Sequence, residues 1–180
     1  MVHSNHKCIF VHITKTAGSS ITKCLGGHDI GSPHRDIFKY RSTLPPQIFN
    51  NYFKFAFVRN PWDRMVSEYH YQRQRKDGKK TNLSFIEYLK QGHPSQTSNQ
   101  LKWISTITNN NIKILVDFVG KFENLEEDIK LISKKINYEI ILPKINSSEH
   151  DNYQKYYTDE TKNIVANSHK HDIEYYKYKF

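Results

Sequence analysis

The sequence predicts an α/β domain of three layers, in which a small central parallel sheet is flanked by helices on both faces. Short β-rich runs alternate along the chain with helical patterns, in the order β, α, β, α, α, β, α, α. No internal repeat or linker interrupts this order, and the length of 180 residues fits one core of ordinary size. We therefore expect residues 1–180 to form a single domain.

The first strand and the first helix are predicted near the start of the chain. Residues 8–13, CIFVHI, form an apolar run without strict alternation, which is typical of a strand covered on both faces. Residues 19–25 follow with a short helical pattern that ends at Gly26 and Gly27. The connecting loop, TKTAG, is therefore expected at the carboxyl end of the strand, where ligands bind in such sheets.

The second strand is followed by the clearest helix start in the chain. Residues 53–58, FKFAFV, predict another buried strand. Asn60 then serves as N-cap, Pro61 as the first helical residue and Asp63 as an acidic residue in the first turn. An apolar stripe at helical spacing continues this helix, and it consists of Trp62, Met65, Val66 and Tyr69.

The remaining elements are predicted from caps and apolar runs. Ser84 and Glu87 form a capping-box pattern for a helix at residues 85–91, which Gly92 ends. A third strand is predicted at about residues 114–119. Two further helices are expected, at residues 125–136 after an Asn124 cap and at about residues 159–170 after a Thr158 cap.

The loop between the first strand and the first helix has the composition of a phosphate cradle. Unpaired N–H groups and the helix dipole favour an anion at such a position. The candidate residues are Lys15, Thr16, Ala17, Gly18, Ser19 and Ser20. The fold is thus P-loop-like, but the loop is not a Walker A motif, because Lys15 precedes Gly18 instead of following the last glycine. The alternative is a β-α turn whose Ser and Thr side chains only cap the helix.

A second candidate anion site combines Arg59 with Ser67. Arg59 ends the second strand, and Ser67 lies about two turns into the following helix. A bent approach brings both side chains to one phosphate. The alternative is an ion pair of Arg59 with Asp63, together with a solvated Ser67.

Taken together, the segments FVHITKTAGSS and FAFVRNPWDRMVSEY resemble the two phosphate sites of sulfotransferases that use 3′-phosphoadenosine 5′-phosphosulfate (PAPS). The resemblance is to the carbohydrate branch that includes heparan sulfate 2-O-sulfotransferase. It continues through VDFVGKFENLEEDI, LPKINSS and the C-terminal segment, so it spans nearly the whole chain. Two positions depart from the family pattern: Thr14, where Pro is common, and Lys121, where the family commonly has the bidentate donor Arg.

The resemblance implies an enzyme that moves a sulfuryl group in line from PAPS to an acceptor hydroxyl, with 3′-phosphoadenosine 5′-phosphate (PAP) as product. It assigns the loop at residues 15–20 to the 5′-phosphosulfate, and Arg59 with Ser67 to the 3′-phosphate. It also assigns a nucleotide contact to Asn146, Ser147 and Ser148, where a plain turn is the alternative. Lys15 is the residue expected to stabilise the negative charge that grows on the bridging oxygen. A carbohydrate acceptor is expected.

The implied reaction needs a general base for the acceptor hydroxyl, and histidine suits that role near neutral pH. Related carbohydrate sulfotransferases place a histidine between the two phosphate sites, which here selects His34, with His28 second. The alternative for His34 is a solvent-exposed loop position. His12, beside the cradle, is expected to be structural or to support residues that contact the ligand. No metal is required, and the pair His169 and His171 is expected only to lie at a helix end.

The charge balance leaves two rival functions open. Lys and Arg outnumber Asp and Glu by 27 to 18, so the net charge of +9 attracts anions. One rival is a P-loop nucleotide kinase-like phosphotransferase, against which the missing GK[ST] ending counts. The other is a non-catalytic basic module that binds nucleic acid or glycan through the cluster Arg73, Arg75, Lys76, Lys79 and Lys80. A solvated loop is favoured over nucleic-acid binding there, and in an enzyme the cluster would steer an anionic acceptor.

Composition also predicts the setting of the chain. The mean hydropathy is −0.76, and no apolar run approaches the roughly 20 residues of a membrane span. The N-terminal apolar run is too short for a signal peptide, so a cytoplasmic protein is expected. Cys8 and Cys24 are expected to be reduced thiols. Because the chain is short for this enzyme class, the acceptor cleft is expected either to be open or to be completed by a second copy in a homo-oligomer.

Overall fold

The computed structural model describes residues 1–27, 34–75, 77, 80–92, 99–108, 111–142 and 152–180. They fall into two compact units. The first unit consists of Met1–Val58 with Gln100–Ile145, and the second of Arg59–Asn99 with Asn146–Phe180. The prediction that residues 1–180 form one domain stays a prediction.

The mixed α/β composition is confirmed. The strands are β1 (Val2–His3), β2 (Cys8–Val11), β3 (Phe53–Val58), β4 (Ser105–Thr108), β5 (Asn111–Ile114) and β6 (Phe118–Lys121). The helices are α1 (Gly18–Cys24), α2 (Ile37–Thr43), α3 (Pro46–Asn51), α4 (Pro61–Gln74), α5 (Phe85–Gln91), α6 (Leu101–Ile104), α7 (Leu125–Ile136), α8 (Asp159–Ser168) and α9 (Lys170–Tyr176). Short 3₁₀ turns occupy Phe122–Asn124 and Tyr153–Tyr156.

The first unit is built on a sheet with the strand order β1-β2-β3-β6. β2, β3 and β6 are parallel, as predicted, and β1 adds an antiparallel edge. In β2 and β3 the side chains on both faces are buried, which explains the unbroken apolar runs of these strands. Because the strands are parallel, the carboxyl ends of β2 and β3 lie at the same sheet edge. The loop at residues 15–20 begins at that edge.

Two helices of the first unit cover one face of this sheet. Ile21 from α1 and Ile129 from α7 pack in one core cluster with Phe10, Phe55 and Phe57 of the strands. All five side chains are at most 3% exposed. Burial of this apolar area is the main contribution that holds α1, and with it the preceding loop, against the sheet.

The third parallel strand is Phe118–Lys121, so the bounds of the strand predicted at residues 114–119 are wrong. Ile114 instead ends an antiparallel β4-β5 hairpin. Asp117 marks the break between the two, because its carboxylate accepts a hydrogen bond from the Lys54 backbone at 2.7 Å and pairs with the Lys54 ammonium at 3.1 Å. Because Asp117 makes these polar contacts, β6 begins only at the next residue, Phe118.

The second unit contains the helix start that the sequence predicts best. Asn60 accepts a hydrogen bond from Trp62 N at 3.1 Å, and Pro61 is the first residue of α4. The side-chain amide of Asn60 also donates to the carbonyl of Lys179 at 2.8 Å, so the cap ties α4 to the C-terminal segment. Trp62 packs in the core cluster of this unit with Met65, Leu89 and Val165.

Other caps are confirmed in part. Ser84 and Glu87 form the predicted capping box of α5, and Gly92 ends that helix with a φ of 69°. Thr158 caps α8, where Thr161 takes the reciprocal position. Asn124 lies at the predicted N-cap position of α7, but its side chain makes no cap hydrogen bond and donates to Asp128 at 3.3 Å instead. The predicted helix at residues 159–170 ends at Ser168 and is followed by α9.

Two further findings concern membrane-spanning helices and the cysteines. In the described residues, no helix combines the length and the apolar character that crossing a membrane requires. Cys8 and Cys24 are reduced cysteines, as predicted.

Candidate active site

The loop between β2 and α1 has an unusual backbone. Lys15 and Ala17 both adopt the left-handed conformation, each with a φ of 64°. Such a φ is uncommon outside glycine and costs about 1 kcal/mol or more, so the surrounding contacts must enforce it. One of these contacts is the buried hydroxyl of Thr16, which donates to the Ile13 carbonyl at 2.9 Å. Thr16 therefore helps to close the loop.

Left-handed residues in a tight loop make successive backbone N–H groups converge into an anion-binding concavity. The loop leads into α1, whose first residue is Gly18. Lys15 and Ser20 are half-buried, and Ser19 is exposed. A cation and two hydroxyl groups therefore accompany the loop amides, which is the group of donors that an anionic sulfate or phosphate ester requires.

Gly18 meets the His12 ring at very short range. A Cβ atom at Gly18 would stand 1.9 Å from Cδ2 and 2.0 Å from Nε2 of His12. No side chain fits at that distance, so glycine is required at position 18 for steric reasons. His12 was expected beside this loop, but no local sequence pattern indicates its contact with Gly18.

His34 also lies next to His12. The two ring centroids are 4.7 Å apart, and His34 Nδ1 lies 3.5 Å from the carbonyl oxygen of His12. His34 is exposed, whereas His12 is buried. Burial and the nearby His34 lower the pKa of His12 from 6.5 to about 3. His12 is therefore neutral at physiological pH, and the solvent-accessible imidazole of this pair is His34.

In the second unit, Arg59 and Ser67 are both buried, each 6% exposed. Arg59 Nε donates to Asp63 Oδ2 at 2.8 Å, so the predicted alternative of an Arg59–Asp63 ion pair is present. Ser67 lies on α4, and its burial differs from the solvated position of that alternative. The guanidinium is thus oriented by a carboxylate from the first turn of the helix that carries Ser67.

A buried charged group on the same helix was not predicted. Arg64 is 1% exposed, and burial lowers the pKa of its guanidinium while the carboxylates of Asp172 and Glu68 raise it. Asp172 is fully buried in α9, where its Oδ2 lies 3.8 Å from His169 Nδ1. A buried ion needs such partners. The sequence gives no signal that Arg64 and Glu68 face inward, because charged residues between the apolar positions of a helix are usually exposed.

Several predicted residues fall outside the described residues: His28, Lys76, Lys79, Asn146, Ser147 and Ser148. Of the rest of the basic cluster, Arg73 stacks over the Tyr69 ring at 5.6 Å. Arg75 pairs with Asp77 and donates to Gln72 at 3.1 Å. These contacts fix Arg73 on α4 and Arg75 at its C-terminal end.

The pair His169 and His171 does not extend to a metal cluster in the described part of the chain, where no group of at least three His, Cys, Asp or Glu side chains lies together. His169 lies at the junction of α8 and α9, as expected for a helix end, and is fully buried.

The sequence is similar to a family model and to two proteins of other organisms. The sequence model of the sulfotransferase family matches residues 1–179. An uncharacterized protein of Archaeoglobus fulgidus is 38% identical over 116 residues, which cover 64% of this chain and 93% of that protein. Carbohydrate sulfotransferase 14 of Danio rerio is 26% identical over 175 residues, and the match spans 76% of this chain but only 47% of that relative. With a family match over nearly its whole length, this chain belongs to the sulfotransferase family.

Proposed function

We propose that this chain transfers the sulfuryl group of PAPS in line to a hydroxyl of a carbohydrate acceptor and releases PAP. The observation that carries the proposal is the loop of Lys15–Ser20, where two left-handed residues precede a helix at the carboxyl end of a central strand. The family membership supports sulfuryl transfer. The name of the Danio rerio relative supports a carbohydrate acceptor.

The residues of the loop fit the phosphosulfate end of the donor. The steric requirement for glycine at position 18 keeps the backbone free of a side chain there. Lys15 and the hydroxyls of Ser19 and Ser20 supply donors around the loop amides. When bound, PAPS supplies the sulfuryl group and a leaving phosphate on which negative charge grows. We assign Lys15 to stabilise that charge, a role that strengthens in the transition state.

Arg59 and Ser67 are assigned to the 3′-phosphate of the donor. Their side chains are buried and lie on, or directly before, one helix. A guanidinium held by Asp63 is preorganised for a phosphate group, since its orientation is set before the ligand arrives. We also assign Asn146, Ser147 and Ser148 to the nucleotide, on the family resemblance alone.

His34 is assigned as the general base. It must accept the proton of the acceptor hydroxyl, which requires an accessible ring nitrogen. The exposed His34 ring, which packs beside the buried His12 ring, meets this requirement.

Transfer from radiolabelled PAPS tests the proposal. The purified protein is incubated with uronate-containing glycosaminoglycans and, separately, with neutral oligosaccharides, and label in the polysaccharide is measured. We expect label to appear in at least one carbohydrate and to be lost in Lys15→Ala. Lys113→Ala is the matched control, because it removes an exposed lysine elsewhere in the first unit.

The same preparation distinguishes the rival functions. Phosphate transfer from ATP with magnesium, without transfer from PAPS, would favour a nucleotide kinase-like phosphotransferase. Salt-dependent binding of nucleic acid without affinity for PAPS would favour a basic binding module.

A further inference from the structure

One face of the His12 ring packs against the core of the first unit. It stacks on Phe10 with a centroid distance of 5.6 Å and an interplanar angle of 10°. Phe10 is fully buried and stacks in turn on Phe55 at 4.9 Å. Because the interior is close-packed, the imidazole has no room to retreat from the residues in front of it.

The His12 ring also contacts two parts of the proposed site. One is the backbone of Gly18, where a Cβ would lie only 1.9 Å from the ring. The other is His34, whose ring lies 4.7 Å away and whose Nδ1 is 3.5 Å from the His12 carbonyl. A single side chain therefore adjoins both the cradle loop and the proposed base.

We propose that His12 is a positioning residue, whose imidazole is a wedge between Phe10 and Gly18 that fixes the Lys15–Gly18 backbone and supports His34. This inference rests on the proposed function, because it is that function which gives the loop and His34 their roles. The wedge acts through its shape. Within the described residues, the buried Nδ1 of His12 has no hydrogen-bond partner, so polar bonding at that atom does not explain the ring's place.

The shape of the wedge predicts a specific coupling between His12 and Gly18. Gly18→Ala alone forces a methyl group into the imidazole, so the loop must shift. In the His12→Ala background the same methyl group has room. The cost of Gly18→Ala should therefore depend on which residue occupies position 12, which is what a double-mutant cycle measures.

The experiment measures PAP affinity by calorimetry for wild type, Gly18→Ala, His12→Ala and the double variant, at a temperature at which the proteins are folded. We expect Gly18→Ala to weaken PAP binding by about tenfold or more, and the double variant to come within about threefold of His12→Ala. Gly26→Ala is the matched control. The φ of 80° at Gly26 strains an alanine there in any background, but its Cβ would meet no atom within 4 Å. The effect of Gly26→Ala should therefore be the same in both backgrounds.

Each outcome decides the inference. An equal loss from Gly18→Ala in both backgrounds, or no loss in either, would overturn it. If Gly18→Ala does not fold, recovery of a folded, PAP-binding protein in the double variant supports the wedge, and failure of both overturns it. If wild type binds no PAP, the proposed function fails, and the same cycle on the melting temperature then tests the wedge by itself.

Discussion

Arg59 Nε donates to Asp63 Oδ2 at 2.8 Å, and the two side chains are only 7% and 17% exposed. The pair joins the residue that directly follows β3 to the first turn of α4, so it sets the direction of the guanidinium. An ion pair with this little solvent contact is screened weakly by salt. It is therefore expected to matter for stability more than the exposed pairs of the chain do.

Asp63→Asn tests this expectation. The variant keeps the shape of the side chain but removes its charge, so the buried Arg59 loses the negative charge of Asp63. We expect the free energy of unfolding to fall by about 1 to 2 kcal/mol. Urea denaturation at neutral pH measures it.

Glu127→Gln is the matched control for that experiment. It breaks the Glu127–Lys130 pair, whose N···O distance of 2.7 Å is similar but whose side chains are 63% and 65% exposed. Exposed pairs contribute little, so the urea midpoint should stay unchanged. Equal effects of the two variants would mean that burial does not distinguish these pairs.

Lys15→Ala and Arg59→Ala should affect different kinetic constants. Lys15 is assigned to charge that develops during transfer, so its loss should lower kcat by roughly a hundredfold or more with a smaller change in the KM for PAPS. Arg59 is assigned to a phosphate that does not react. Its loss should raise the KM for PAPS by about tenfold or more and leave kcat less affected. Steady-state kinetics with PAPS varied measures both.

Lys113→Ala and Arg41→Ala serve as controls, because each removes an exposed cation outside the assigned residues. Both should retain wild-type constants. Equal losses of kcat in Lys15→Ala and Arg59→Ala would contradict the assigned division between the two residues.

His34→Ala tests the general base through the pH profile of kcat/KM. In wild type the rate should fall on the acid side, because protonated imidazole does not accept the hydroxyl proton. In the variant, the rate should be lower by about a hundredfold or more, and this acid limb should disappear. Wild-type turnover with an unchanged acid limb would exclude His34 as the base.

His12 should contribute to the pH dependence of stability. Its pKa is lowered from 6.5 to about 3 by burial and by His34, so between these values the unfolded chain binds a proton that the folded chain does not. The contribution of neutral His12 to the free energy of unfolding is therefore full above about pH 6.5 and is lost as the pH falls toward 3. His12→Phe keeps a ring against Phe10 but does not titrate.

We expect the loss of unfolding free energy between about pH 7.5 and pH 4.5 to be smaller in His12→Phe than in wild type, by roughly 1 to 3 kcal/mol. Urea denaturation across this range measures it. Above about pH 7.5 the difference between the two proteins should be constant, because neither side chain titrates there. Equal losses on acidification would contradict a neutral, buried His12.

The elements that local patterns specify were predicted well. The α4 start at Asn60 and Pro61, and the capping box of Ser84 with Glu87, depend on residues within one turn of each other. The β4-β5 hairpin and the start of β6 were not predicted, because the break at Asp117 depends on a distant partner, Lys54. The short helices α2 and α3 lack a long apolar stripe and were also missed.

The candidate site shows the same limit. Residues 15–20 were predicted as a loop between strand and helix because their order along the chain fixes that place. The left-handed backbone of Lys15 and Ala17 was not predictable, since neither residue type favours it. The contact of His12 with Gly18 depends on the support of Phe10 and Phe55 from the core, which no local pattern reveals.

The proposed function requires that the chain recognise a donor nucleotide that carries a 3′-phosphate. Calorimetric titration with PAP and with AMP, which lacks that phosphate, tests it most directly in wild type and in Arg59→Ala. We predict that wild type binds PAP at least about tenfold more tightly than AMP, and that Arg59→Ala reduces this ratio toward one without weakening AMP binding. Absence of PAP binding, or the same ratio in both proteins, would contradict the claim.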